Sequence, residues 1–549
     1  MEGEQVYVDW RGNAADERRH GGVRATVFLY VLFMLRSCSN SSNFTVVAYL
    51  HGTLHLDIVT SSTVIGYLVG TVMISAALMN FISDACMIKR TTAIFVFGPC
   101  VILGYMLLAL QAHFPALHPE TCAIDEEPNS CEAARGWKLT LLYLGLFMFA
   151  VGEGCMRACV PSLGGDQFSD SDPKKPQLRS TFLTRLKLAN SIGAMIGLAF
   201  LVWIENNLGW DIGFMTCALA VLVGLLVAAS GCPFYRMQKP SGCGSPLTRT
   251  LQVLITSSNQ KSAANVDDIE LQDTNTQGHV FKSGTNQADE TRVLIQMLPI
   301  FISCFLVYLP FVLLMTLTIQ VGRAMDRGAG AIQIPSAASL IAIPTAFHTL
   351  MQPCYDRILT PLLRTATGHQ HGATPLQRIG AGSACGIAAA CVAALVEARR
   401  LNVAEQRGLT TSTGTGVPAL SVFWLVIQFF LLSVMDTASF GGLAEFIRSE
   451  APSAMKSIAP AVQSCVAGLA AWSCCAFIHL VNRMTRSGGG GDGGWLDGTD
   501  FNRARLDRFF LSLGAFELLA LVNYTFWARR YARKLRRVNF DLNVSADLE

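Results

Sequence analysis

Apolar residues run through this chain in long unbroken blocks, not at the spacing of an amphipathic helix or the alternation of a strand. Twelve blocks approach or exceed the ~20 residues that a helix needs to cross bilayer hydrocarbon. Six lie at about 23–50, 61–83, 92–112, 138–163, 182–204 and 212–232. Six more lie at about 292–321, 334–355, 376–397, 419–447, 456–481 and 507–528. The pattern predicts an all-α polytopic membrane protein with twelve transmembrane helices. Between the two sets, Tyr235 to Glu290 is polar and rich in Ser, Asn, Gln and Asp. Within it, Leu247 to Ile255 fits a short amphipathic helix, and the remainder reads as a flexible linker.

Six spans, a long linker and six more spans form a major-facilitator layout, in which two six-helix halves pack about a site near the midplane. The expected division is a tail at 1–22, a bundle at 23–232, a linker at 233–291, a bundle at 292–528 and a tail at 529–549. Lys and Arg in short loops set the orientation. Lys89-Arg90, Lys174-Lys175, Arg179, Arg357, Arg364, Arg448 and Lys456 fall on one side, together with a C-terminal tail that carries six basic residues from Arg529 to Arg537. Loops 51–60 and 205–211 on the other side carry none, whereas 398–418 and 482–506 run against the bias. Both termini are therefore expected in the cytoplasm. The plasma membrane is the expected location, with the vacuolar membrane as the alternative.

Composition agrees with this reading: 51% of residues are hydrophobic and 15% charged, against ~25% charged in a soluble domain. A net charge of +3 without a basic block gives no reason to expect a nucleic-acid partner. The polar N-terminus lacks the apolar core of a cleavable signal, so the first span is expected to target the chain. Most of the 17 cysteines stand singly in apolar blocks, where cysteine acts as a small hydrophobe. No Cys/His spacing suits a metal, no cofactor signature appears, and no nucleophile arrangement suggests an enzyme. Cys122 and Cys131 share a polar loop expected outside, where a disulfide and two free thiols are equal alternatives. The Asn-x-Ser/Thr triplets at Asn40, Asn43 and Asn523 fall inside spans, and that at Asn543 falls in the cytoplasmic tail, so none is expected to carry sugar.

Charges inside spans are costly and mark function by default. Glu153 and Arg157 lie four residues apart in the fourth span, within the stretch Gly152 to Phe168, which also holds Pro161 and Gly164-Gly165. That spacing suits either a static ion pair, the favoured reading, or a titratable carboxylate beside a solute-binding cation. Arg36, in the first span, is followed by Ser37, Ser39, Asn40, Ser41 and Asn43, which suggests a wettable face and a cavity-lining role. Asp436 lies mid-span in the tenth block and serves equally well as a proton or amine site, or as a structural acid satisfied by Ser433 or Thr437. His348, in the eighth block, reads as a bonded packing residue. Prolines 299, 310, 335, 344 and 353 predict bends in the seventh and eighth spans.

Many short tracts then occur in a telling order. They include Gly165-Asp166-Gln167-Phe168, Gly231-Cys232-Pro233-Phe234-Tyr235-Arg236, Met325-Asp326-Arg327, Tyr355-Asp356-Arg357 and Leu376-Gln377-Arg378-Ile379-Gly380. Leu420-Ser421-Val422-Phe423-Trp424, Glu445-Phe446 and Leu506-Asp507-Arg508-Phe509-Phe510 follow. On these tracts the chain resembles the proton-coupled oligopeptide transporters, specifically their plant nitrate/peptide branch, from about Arg24 to Arg533. The resemblance implies twelve helices around a polar cavity and alternating access. It also implies a solute among nitrate, short peptides, plant hormones and glucosinolate-like metabolites.

One departure stands out. The family's first-helix Glu-x-x-Glu-Arg motif for proton coupling falls on Leu32-Phe33-Met34-Leu35-Arg36, so both acids are leucine. Leucine cannot titrate and arginine will not. Arg157 falls where the family usually has a lysine that meets this motif and the solute, and Asp436 where it usually has glutamate. Asp84 and Lys89 match a degenerate facilitator loop motif, with Met79 in place of its leading glycine, and Asp166 belongs to a similar conformational latch. The expected partners are a small-molecule solute and the lipid bilayer, with protons as a candidate. A proton symporter using Glu153 or Asp436, an uncoupled facilitator, and a non-transporting receptor or scaffold all remain open at this point. Two arginines and few acids favour an anionic solute.

Overall fold

The computed structural model describes residues 7–16, 19–84, 88–119, 134, 136–168, 174–238, 277–326, 328–329, 332–333, 340, 342–367, 372–406, 420–450, 459–488, 494–496 and 504–546. Cys122, Cys131, Arg327 and the stretch Leu247 to Ile255 lie outside them, so the expectations for these positions are not addressed. The side chain of Asp84 is likewise outside the description.

Fourteen helices dominate the described residues. The first seven are α1 (Gly22–Asn40), α2 (Ser42–Gly52), α3 (Ile58–Asp84), α4 (Arg90–His113), α5 (Thr140–Gly165), α6 (Lys175–Asn207) and α7 (Trp210–Ser230). The others are α8 (Gln277–Arg323), α9 (Ala342–Cys354), α10 (Thr360–Thr367), α11 (Pro375–Gln406), α12 (Leu425–Glu450), α13 (Ala459–Gly488) and α14 (Leu506–Ala546). Only Ser41 separates α1 from α2, and together they make one span. Eleven segments among the described residues are long and apolar enough to cross a membrane.

The exception is the eighth predicted span, which includes residues outside the description. Here α9 passes through a π turn, Tyr355–Leu359, into α10. Pro353 closes α9 and removes the N–H that would bond one turn back, a setting in which a helix widens or bends.

Both ends of the expected linker carry regular structure. Met237–Gln238 pairs antiparallel with Tyr7–Val8, so the chain after α7 is held against the N-terminal segment. The side-chain amide of Gln167 donates to the Arg236 carbonyl, and its oxygen accepts from the Arg236 N–H. At the other end α8 begins at Gln277, well before the expected boundary at 291, because no proline or glycine run stops the helix there.

Buried apolar side chains form two large clusters. One runs from Val8 to Met237. The other runs from Met297 to Tyr531 and also takes in Ile58 and Val59 from the start of α3. The two sets meet where α3 packs on α13. A Cβ on Gly70 would lie 2.1 Å from Trp472 Cδ1, and one on Gly66 would lie 2.6 Å from Cys475 Sγ. Gln320 donates to Ser62 Oγ at 2.9 Å near the same end of the interface. Small residues let membrane helices approach closely where no hydrophobic effect drives them together.

The same device seats α6 on α1. A Cβ on Gly193 would stand 2.1 Å from the Met34 carbonyl oxygen, a backbone atom that cannot swing aside. Gly193→Val is therefore expected to cost about 1–3 kcal/mol through overpacking. Thermal unfolding of the detergent-purified protein should show a lowered midpoint, and an unchanged midpoint would contradict the contact.

Candidate solute and proton site

The site starts from the fit of α5. A Cβ on Gly152 would lie 2.6 Å from the Phe97 carbonyl oxygen of α4, and one on Gly154 would lie 2.5 Å from that of Val72 on α3. Between these two glycines, Glu153 is carried into the packed interior, where it is 1% exposed.

Its partner comes from another helix. Arg36 of α1, 3% exposed, donates through Nη1 to Glu153 Oε1. The second arm, Nη2, donates to Asn190 Oδ1 of α6 at 2.9 Å, and the guanidinium rests 4.1 Å from the Phe33 ring centroid. Ser37 Oγ donates to the Asn190 carbonyl at 2.7 Å and reinforces the junction. One buried ion pair and one amide thus tie α1, α5 and α6. Two sequence expectations change here. Arg36 is a buried link and not an exposed cavity wall, and Glu153 pairs with Arg36 instead of Arg157. The physical reason is that two desolvated charges must satisfy each other, whereas a hydrated one need not pair.

Arg157 differs from this pair. It is exposed and has no ion pair or hydrogen bond among the described residues, yet it lies within its span, in the C-terminal half. Arg36 and Glu153 on its own side and Asp436 on the opposing bundle all act on it electrostatically. Arg157 therefore lines a cleft between α5 and the helix that carries Asp436.

Across that cleft, Asp436 of α12 accepts at Oδ2 from His348 Nδ1 of α9, 2.7 Å away. His348 is 50% exposed and Asp436 24%. The histidine is bonded, as expected, but it is not packed. Neither Ser433 nor Thr437 satisfies Asp436. Ser433 Oγ donates to the Phe429 and Pro344 carbonyls, at 2.8 and 3.2 Å, and Thr437 Oγ1 is buried without a partner among the described residues. The Thr437 carbonyl accepts from Arg378 Nη2 at 2.9 Å, which braces this part of α12 against α11.

Sequence reasoning passed over Lys187 and Asn190. Both are on α6, inside the predicted fifth span, and Lys187 acts electrostatically on His348. The intramembrane-charge rule applied to Glu153 would have flagged Lys187 as well. The acids Glu205, Glu397 and Glu517 were also missed. Glu205 accepts from Ser42 Oγ at 2.8 Å, and Glu397 is paired with Arg400 at 2.7 Å. Of the three latch candidates, Asp166 accepts from Arg90 at the start of α4, whereas Lys89 is exposed. The sequence named no partner for Asp166; packing gives it Arg90, which opens α4.

A family model described as the POT family matches residues 91–496, well over half of the chain. The chain belongs to the POT family. Two Arabidopsis thaliana relatives of this POT transporter are Protein NRT1/PTR FAMILY 4.5 and 4.6. They are 32% and 31% identical to it over 557 and 579 residues, each match covering 96% of this chain and 96% of the relative. Among solved structures, an auto-inhibited POT family peptide transporter matches with a TM-score of 0.66 at 18% identity, covering 92% of this chain and 97% of the other. A POT family transporter in complex with 5-aminolevulinic acid matches at 0.65 and 12% identity, covering 94% and 100%. At such identities the structural likeness speaks for the fold, which is the major facilitator fold. The POT transporter is an integral membrane protein and a secondary transporter of small solutes.

Removing one partner of a buried pair strands the other charge, typically at a cost of about 3–5 kcal/mol, whereas replacing both with apolar groups is often near neutral. Arg36→Leu and Glu153→Leu should each lower the thermal midpoint sharply, and the double variant should recover most of the loss. Strictly additive losses would show that the pair does not act as a unit.

Proposed function

We propose that this POT transporter is a carrier, not an enzyme, and moves a small anionic solute, a carboxylate or nitrate, with Arg157 as the residue that grips it. The observation that supports this most directly is Arg157 itself, an exposed cation within the C-terminal half of its span with no ion pair or hydrogen bond among the described residues. A guanidinium presents a planar fork that matches a carboxylate or nitrate through two parallel hydrogen bonds. The charge balance of the cleft points the same way. Arg36 and Glu153 cancel, Asp436 is one acid, and Arg157 and Lys187 are two cations.

The proposed arrangement is two six-helix bundles, at about 23–232 and 292–528, with both termini in the cytoplasm of a cell whose plasma membrane holds the protein. The Lys and Arg bias supports this orientation. On this orientation the Ser62–Gln320 contact lies toward the outside and the Arg90–Asp166 pair toward the cytoplasm. Rocking of one bundle against the other would then expose Arg157 alternately to the two sides. Arg90–Asp166 would hold the inner ends of α4 and α5 together as they move.

Oocytes expressing the protein should take up at least one solute from a panel of nitrate, carboxylate hormones and dipeptides, with the anions preferred. Arg157→Ala should reduce that uptake about tenfold or more, since a hydrogen bond to a charged group contributes roughly 1.5–3 kcal/mol. Undiminished uptake by this variant would remove Arg157 from the site.

A further inference from the structure

We propose that the His348–Asp436 pair is the proton-binding site that couples transport to a proton gradient, with His348 Nε2 as the atom that gains and loses the proton. This inference rests on the anion reading of the cleft. The chain has lost both first-helix acids, and Glu153 is sealed against Arg36, so neither position offers an exposed titratable group. His348 does. Its Nδ1 is committed to Asp436 at 2.7 Å, its ring is 50% exposed, and Nε2 has no partner among the described residues. With Nδ1–H donating to the carboxylate, Nε2 carries a lone pair open to the cleft. It takes a proton from water on one side and returns it to water on the other, while the Nδ1–H bond to Asp436 is kept.

Charge bookkeeping explains why this proton should follow the solute. In the empty carrier, Arg157 and Lys187 are positive, Asp436 is negative and His348 is neutral, so the four carry one net positive charge. An anion on Arg157 cancels that charge and weakens the field that opposes a further cation beside Asp436. Protonation of His348 is then favoured, and it restores the charge of the empty carrier. The empty and the fully loaded carriers thus present the same charge to the cleft, so the proton follows the anion.

The remaining groups that face the pair keep one charge throughout. Lys187 of α6 acts on His348 as a fixed cation. Arg157 of α5 acts on Asp436. Tyr308 of α8 is buried and within electrostatic reach of Asp436. Arg378 of α11 bonds the next carbonyl, that of Thr437, and is itself paired with Glu445 at 3.1 Å. Among these and the pair itself, imidazole alone has an ordinary pKa near neutral pH.

The test uses the full chain in proteoliposomes, with labelled nitrate and a labelled aromatic carboxylate as probes and protein-free vesicles as the blank. Wild-type uptake should rise several-fold with an inward proton gradient at zero potential. His348→Gln should lose that stimulation while keeping exchange of external for internal probe, which needs no net proton movement. Asp436→Asn, tested as a second variant, should behave likewise. Wild-type uptake indifferent to the gradient, or a His348→Gln protein still stimulated by it, overturns the proposal and leaves the anion reading standing. Transport of neither probe with or without a gradient overturns both. Should both variants lose exchange as well, proton uptake on adding probe to purified wild type in weak buffer decides. About one proton per bound anion supports the proposal, and none overturns it.

Discussion

A charge inside a membrane bundle must find an opposite charge or water, and at the candidate site the Arg36–Glu153 pair meets that demand. Both groups are almost fully buried, so neither can be left alone. Their union fixes the spacing of α1 and α5, and the second arm of Arg36 brings in α6 through Asn190. The close seating of α5 on α3 and α4 at Gly152 and Gly154 is what makes the burial of Glu153 geometrically feasible. Because Glu153 is taken, Arg157 one turn away is left as an exposed cation with no ion pair among the described residues. The availability of one arginine for a solute thus follows from the confinement of another.

The surfaces between the bundles are built on a different principle. At α3 and α13, glycines let Trp472 and the Cys474-Cys475 pair sit close to the facing backbone, with Gln320 to Ser62 as a nearby direct polar link. An interface held by packing of small residues and few hydrogen bonds can be exchanged for another without stranding a buried charge. The buried ion pairs described above, Arg36–Glu153 and Glu397–Arg400, lie within a bundle, as do Arg90–Asp166 and Arg378–Glu445. This distribution suits rigid bundles that move against each other, since the electrostatically expensive contacts need not break.

Polar chemistry across the cleft is correspondingly open. Arg157 and Lys187 face His348 and Asp436 from the opposite helices, and each keeps part of its surface exposed. Four charged or titratable groups gathered in this way respond to a solute ion as a set, because adding one charge changes the balance felt by the other members. The loss of the first-helix acids reads differently in this setting. It removes a proton relay from the Arg36 junction and leaves that junction structural, while the C-terminal bundle retains a solvated acid and imidazole.

Much of the architecture was written in the chain itself. Long apolar blocks can only be spans, because backbone polar groups in lipid must be satisfied within a helix. Ordered motifs such as Gly165-Asp166-Gln167-Phe168 carried the family resemblance, and mid-span charge singled out Arg36, Glu153, Arg157 and Asp436. Sequence spacing, however, reports only neighbours on one helix. It suggested Glu153 with Arg157 and Asp436 with Ser433 or Thr437, and it named no partner for Asp166. Tertiary packing instead joined Glu153 to Arg36 over 117 positions and Asp166 to Arg90 over 76, and gave Asp436 to His348 on another helix. Helix packing decided these partners. A carboxylate inside a span takes whichever cation or imidazole the fold brings to it, and only the folded bundle determines which one arrives.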